Sequence, residues 1–142
     1  VTFTREGRIL SLFPHMHLRG KAFRYVLRHP DGSEEILLDV PRYDFNWQYF
    51  YVLDQPRQVT PGTRLLCTGF FDNSEDNLAN PDPTEAVRYG LQTWEEMMIG
   101  WYAFDLERGG DPILTEEDAA ALSAVEEYKE KGEANAAGQN KE

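Results

Sequence analysis

The sequence predicts an all-β fold, an antiparallel β-sandwich of jelly-roll type with a C-terminal helix and a disordered tail, and three observations carry that prediction. Aromatic residues are frequent in the 142-residue chain, with 8 Phe, 7 Tyr and 3 Trp, and they fall mostly in short runs bounded by Pro, Gly, Asn and Asp. Those runs recur with turn signals at the short spacing of sandwich strands, without the long crossover helices of an α/β fold. From Thr115 the apolar period changes from strand-like to helical.

The elements follow in chain order. Residues 8–13, with Ile9, Leu10, Leu12 and Phe13, read as a strand that runs directly into Pro14-His15-Met16-His17-Leu18-Arg19-Gly20. Residues 21–28 place Phe23, Tyr25 and Leu27 on one face and Arg24 and Arg28 on the other, the pattern of a half-buried strand. His29-Pro30-Asp31-Gly32 supplies turn chemistry, Pro fixing φ and Gly tolerating a left-handed backbone, and a hairpin to residues 34–40 follows. Residues 45–53 are apolar on both faces and predict a central, doubly covered strand. Thr60-Pro61-Gly62-Thr63 is a turn, and residues 64–71, with Cys67, form the next buried strand.

The polar loop from Asp72 to Pro83 invites a calcium reading. Asp72, Ser74 and Asp76 match the first ligand positions of an EF-hand loop, but Asn77 stands where glycine is required and Pro83 where the closing Glu belongs. The motif is rejected in favour of Asx turns. Residues 96–105 form the last strand, with Met97, Ile99 and Trp101 on one face and Met98, Gly100, Tyr102 and Phe104 on the other. Thr115 as N-cap, Asp118, the stripe Leu122, Val125 and Tyr128, and Gly132 as stop predict a helix. The expected organisation is a sandwich domain over 1–108, a linker and helix over 109–132, and a disordered tail over 133–142.

A formal charge of -11 argues against nucleic acid and anionic membrane surfaces, which call for clustered Lys and Arg. Much of that acidity follows Asp105 and reports on the tail. One cysteine excludes an internal disulfide and every Cys-x-x-Cys metal arrangement. No run approaches the roughly 20 apolar residues that span a bilayer, so this segment does not insert in a membrane. The start at Val1, already strand-like, is read as a mature or excised piece of a longer protein.

On an extended backbone His15 and His17 project to the same side while Met16 points away, which offers two imidazoles together. Such a pair also occurs as a surface or turn feature. Two imidazoles joined by a thioether suit copper, Cu(I) above all, although two histidines alone also accept zinc. Spacing does not choose among Met16, Met97 and Met98, each of which also reads as core filler.

His15-Met16-His17-Leu18-Arg19-Gly20, then a Gly-Thr-Arg-Leu-Leu-Cys strand, then Thr93-Trp94-Glu95-Glu96-Met97-Met98, resembles the C-terminal domain of the copper type II, ascorbate-dependent monooxygenases. That is the family of peptidylglycine α-hydroxylating monooxygenase and dopamine β-monooxygenase. The wording is closer still to its bacterial branch, with Arg-Tyr-Asp-Phe-Asn-Trp-Gln and Phe-Asp-Asn-Ser between. The resemblance covers roughly residues 1–105 and implies His15, His17 and Met97 as ligands of one oxygen-binding copper, with Met98 on the core face. It sets Trp101 where the family has a substrate-contacting tyrosine, making Trp101 a substrate-pocket candidate.

Two departures bear on function. Full monooxygenases of this family resemble two linked sandwiches, the first holding three histidines for an electron-transferring copper; here only His29 is left over. The eukaryotic domain's disulfide cysteines are also absent. The implied protein is therefore the oxygen-binding copper domain of a larger, extracytoplasmic oxidoreductase, acting on a small-molecule or peptide-like substrate. A missing N-terminal domain or redox partner would supply electrons, with ascorbate or another reductant behind it. The alternatives are a non-catalytic copper-binding or electron-transfer module and a metal-free scaffold.

Overall fold

A bulge in the first strand decides which residues the molecule hides. In the computed structural model, which describes residues 1–105, strand β1 (Gly7–Met16) lies between β4 (Tyr51–Val59) and β6 (Met98–Asp105), antiparallel to both. Both ladders shift register between Ile9 and Ser11: against β6 the extra residue is Leu10, whereas against β4 the extra residues lie on β4, between Val52 and Arg57. Alternation therefore reverses at that point. Ile9, Leu12, Pro14 and Met16 are buried, while Ser11, Phe13 and His15 face the other way. Without the bulge, period-2 alternation would set His15 on the same face as Ile9.

The second sheet has β2 (Gly20–Arg28) at its centre, between β3 (Glu34–Val40) and β5 (Arg64–Phe71), again antiparallel throughout. Ile9, Leu12 and Met16 of the first sheet join Phe23, Tyr25, Leu27 and Leu65 of the second in one core, so the sheets pack face to face. Phe3 closes one end, stacked on Phe104 at 5.1 Å and edge-on to Tyr102 at 5.9 Å. The all-β expectation thus takes the form of two three-stranded antiparallel sheets.

At Gly100 the two sheets approach closely. A Cβ there would meet the Tyr25 ring at 3.1 Å and sit closer still to the Cys67 sulfur. Burial pushes the Cys67 thiol up to about 11, so at neutral pH it is a protonated thiol filling space between the sheets. Gly100→Ala is expected to cost roughly 1–3 kcal/mol through overpacking, read as a lower denaturant midpoint at unchanged m-value. An unchanged midpoint would show that the sheets can part at no cost.

The hairpin of β2 and β3 forms as its turn chemistry dictates, with Gly32 at φ 87° and its N–H bonded to the His29 carbonyl at 2.9 Å. Gly62, at φ 88°, serves the turn that carries the chain from β4 to β5 and so from one sheet to the other. Asx turns form at Asp72, Asn77 and Asp82. The Lys21 ammonium, 2.8 Å from Asp72, together with Ser74, holds that carboxyl well below the usual carboxylate range.

Three expectations are corrected. Residues 45–50 form no strand, and β4 begins only at Tyr51 and lies at a sheet edge. The apolar run is on the surface, with Trp47 65% and Phe50 69% exposed, because its rings stack on one another and on Phe13 instead of entering the core. Strand β5 keeps its predicted bounds but is a half-buried edge strand, with Phe70 and Phe71 exposed. The last strand starts at Met98, two residues later than expected. The expected helix and tail, and the linker that precedes them, lie outside the described residues. Among the described residues no helix is long and apolar enough to cross a membrane.

Candidate metal centre

The bulge that turns His15 outward also aligns β1 with β6. Phe13 pairs with Trp101, His15 with Ile99 and Met16 with Met98. Directly paired residues of an antiparallel ladder project from the same face. The ladder ends at that rung, with His17 and Met97 next in sequence on either strand. Met97 is 8% exposed and His17 4% exposed, and the two imidazoles meet edge to face with centroids 5.2 Å apart. The Met98 sulfur and that of Met16 each lie 2.9 Å from where a Cβ on Gly69 would stand, but Met98 is 36% exposed and, contrary to the expectation, is not a core residue. Trp101 is on the outer face with His15, two positions beyond Ile99, and 54% exposed.

In the neutral rings, the hydrogen bonds select the Nδ1-protonated tautomer of both imidazoles. Gln48 Nε2 donates to the Phe45 carbonyl at 2.8 Å, which turns Gln48 Oε1 toward His15 Nδ1 at 2.7 Å. An amide oxygen only accepts, so His15 Nδ1 carries the proton and its Nε2 is a bare lone pair. His17 Nδ1 faces the Glu95 carbonyl at 3.3 Å, and the same reasoning leaves His17 Nε2 bare. Protonated Nδ1 held by an oxygen, with Nε2 free, is the state of a metal-binding histidine.

Around this pair, buried polar groups clamp the chain. Glu96, 7% exposed, accepts from the backbone N–H of His17 at 3.0 Å and of Arg19 at 2.6 Å. Arg19, 2% exposed, donates to Asn73 Oδ1 at 2.7 Å and to the carbonyls of Trp94 at 2.6 Å and Asp82 at 3.3 Å. These bonds tie residues 17–19 to the loop that ends at Met97. Tyr43 caps the end of β1: its hydroxyl donates to the Met16 carbonyl at 2.7 Å and accepts from the Met16 N–H at 2.9 Å. Burial pushes that phenol up to about 12, so it remains a donor.

Gln48, Arg19, Tyr43 and Glu96 are the site residues that periodicity and spacing miss. All four stand inside the quoted motifs, which was the available signal, but their side chains bond across the fold. His29, in the β2–β3 turn of the opposite sheet, takes no part. Among the described residues no group of three or more His, Cys, Asp or Glu could hold a metal. Two bare imidazole nitrogens and a thioether fit a soft, one-electron metal and offer little to Mg or Ca. Gln48→Ala is expected to weaken Cu(I) affinity about 10–100-fold while leaving stoichiometry at one, as second-shell losses do. An unaltered affinity in a competition titration would show that His15 needs no such support.

Comparison with known proteins gives one partial likeness. The chain is 30% identical over 98 residues to DBH-like monooxygenase protein 1 of Gallus gallus, a stretch that is 68% of this chain. It spans 14% of the length of that relative. No protein-family profile matches the chain, and no solved structure does. The likeness points to a DBH-like monooxygenase domain and to no narrower group within that family.

Proposed function

We propose that this chain is the mononuclear copper domain of a copper-dependent, monooxygenase-like oxidoreductase of the bacterial branch, one ion being held by His15, His17 and Met97. The observation that carries the reading is the pair of bare Nε2 atoms, fixed by Gln48 on one ring and by the Glu95 carbonyl on the other. The partial likeness to a DBH-like monooxygenase supports it. Copper bound there supplies one-electron redox chemistry toward dioxygen. The chain's own residues present the two lone pairs, keep both Nδ1 protons engaged, and bury His17 and Met97 from water. Trp101, exposed one same-face rung from His15, is the candidate contact for substrate.

Among the described residues there is no second donor set, so electrons for a two-electron oxidation come from a further domain, a redox partner, or a reductant such as ascorbate. An extracytoplasmic location belongs to the same reading. That single donor set also favours a second reading, a copper-binding or electron-transfer module without oxygenation. Three further histidines in an upstream sandwich region of the same open reading frame would decide for the enzyme.

The test is copper loading of the purified chain under reducing conditions, followed by X-ray absorption at the copper edge. One Cu(I) per chain with two nitrogen scatterers and one sulfur is the expected result. Copper without sulfur, or no copper, returns Met97 to the core and removes the main support of the catalytic reading.

A further inference from the structure

We infer that the groove beside the candidate metal centre selects an uncharged apolar molecule with a planar body; what is done to that molecule rests on the copper reading above. The outer face of the β4-β1-β6 sheet is ordered in rungs that start at the imidazoles. His15 pairs with Ile99, then Phe13 with Trp101, then Ser11 with both Ala103 and Val52. Phe50 stacks on Phe13 with centroids 4.5 Å apart. The aromatic rung is followed by a rung of small residues, so the surface dips there. The dip is a half-open groove of about 360 Å³ lined by Ser11, Phe13, Phe50, Trp101 and Ala103 together with Leu12 and Tyr102.

The chemistry of this lining identifies the occupant. No charged residue lines the groove, in a chain of formal charge -11. A second hollow, of about 290 Å³, is lined by Arg19, Asp82, Glu85, Arg88 and Glu95, so charged linings are available elsewhere on the molecule. An ionic group entering the apolar groove would shed water and meet no counter-charge. A flat apolar body would instead cover the open faces of Trp101 and Phe50, 54% and 69% exposed.

Size and position argue for a small molecule. The volume lies near the lower end of the range of about 300–1,000 Å³ usual for small-molecule sites. Rungs on one strand face are about 7 Å apart, so the groove opens one rung from His15. A molecule seated in it has one end beside the imidazoles and the other over Ser11, whose hydroxyl is the one polar side-chain group of β1 in the lining.

Toluene, benzoate and benzylammonium share a ring and differ in charge, and they test the inference on the full chain. Binding is read by NMR shifts of the Ala103 methyl, which lines the groove and is present in every variant, and Cu(I) affinity is measured separately. Toluene is expected to bind at least 10-fold more tightly than either ion. Ser11→Phe, which fills the dip, and Trp101→Ala, which removes a wall, are each expected to weaken toluene at least 10-fold, while Phe70→Ala on the other sheet leaves it unchanged. Equal binding of either ion, or toluene binding indifferent to both groove variants, overturns the inference. Normal Cu(I) affinity with no preference for toluene refutes the groove alone; preference for toluene without copper binding refutes the metal reading alone.

Discussion

His17→Ala is expected to abolish tight Cu(I) binding while the chain remains folded. The two consequences separate because of how the ring is held. Its one hydrogen bond is from Nδ1 to the Glu95 carbonyl at 3.3 Å, a long bond whose loss costs about 0.5–1.5 kcal/mol. The backbone of residue 17 keeps its own tie, the N–H to Glu96 at 3.0 Å, which alanine retains. The lost Nε2, in contrast, is one of two imidazole donors, and its removal should exceed the about 10–100-fold penalty of losing a supporting contact. The expected result is an affinity more than 100-fold weaker in competition with a Cu(I) chelator, with a cooperative thermal transition whose midpoint falls by only several degrees. Copper bound at unchanged stoichiometry and affinity would remove His17 from the site and leave a lone imidazole at His15, which holds no metal.

Which parts of this arrangement were open to reading from sequence follows from the range over which each signal acts. The β2–β3 hairpin was legible because Pro30-Asp31-Gly32 acts within four residues, and Gly32 does take the left-handed φ that such a turn requires. The nearness of the His15 and His17 rings, whose centroids are 5.2 Å apart, was legible because strand alternation is local. The bulge at Leu10 was not: Ile9-Leu10-Ser11 contains no glycine, proline or other break, and the extra residue is defined only against β6. Apolar density misled at residues 45–53. The Asp44 carboxylate bonds the Asn46 N–H at 2.8 Å and Gln48 bonds the Phe45 carbonyl, so the segment turns on itself and sets Gln48 beside His15. The clamps by Arg19 and Glu96 span 54 to 79 positions of sequence, a range at which no periodicity operates.

Glu96→Ala is expected to be among the most damaging single changes, and to act on stability and on the metal together. Its carboxylate is 7% exposed and is the partner of two backbone donors, the N–H groups of His17 and Arg19. Hydrogen bonds to a charged acceptor contribute about 1.5–3 kcal/mol each, and alanine leaves both donors buried and unpaired, for a combined loss of roughly 3–6 kcal/mol. The Glu96 backbone would persist, since its N–H bonds the Arg88 carbonyl at 2.9 Å and its carbonyl accepts from Gly90 at 3.1 Å. The loop before Met97 therefore survives but loses its tie to residues 17–19, so the His17 imidazole and the Met97 sulfur no longer share a fixed separation. Cu(I) affinity should fall by more than the loss in a Gln48→Ala variant, even at temperatures where the chain is still folded. Glu96→Gln separates charge from geometry: its oxygen can accept from one N–H, but its amide nitrogen faces the other donor, so stability should fall between parent and alanine. Denaturant unfolding of the three proteins in the absence of metal measures the ladder. A Glu96→Ala protein within 1 kcal/mol of the parent would mean that water replaces the carboxylate, and that the tie between the imidazole strand and the methionine loop lies in Arg19 alone.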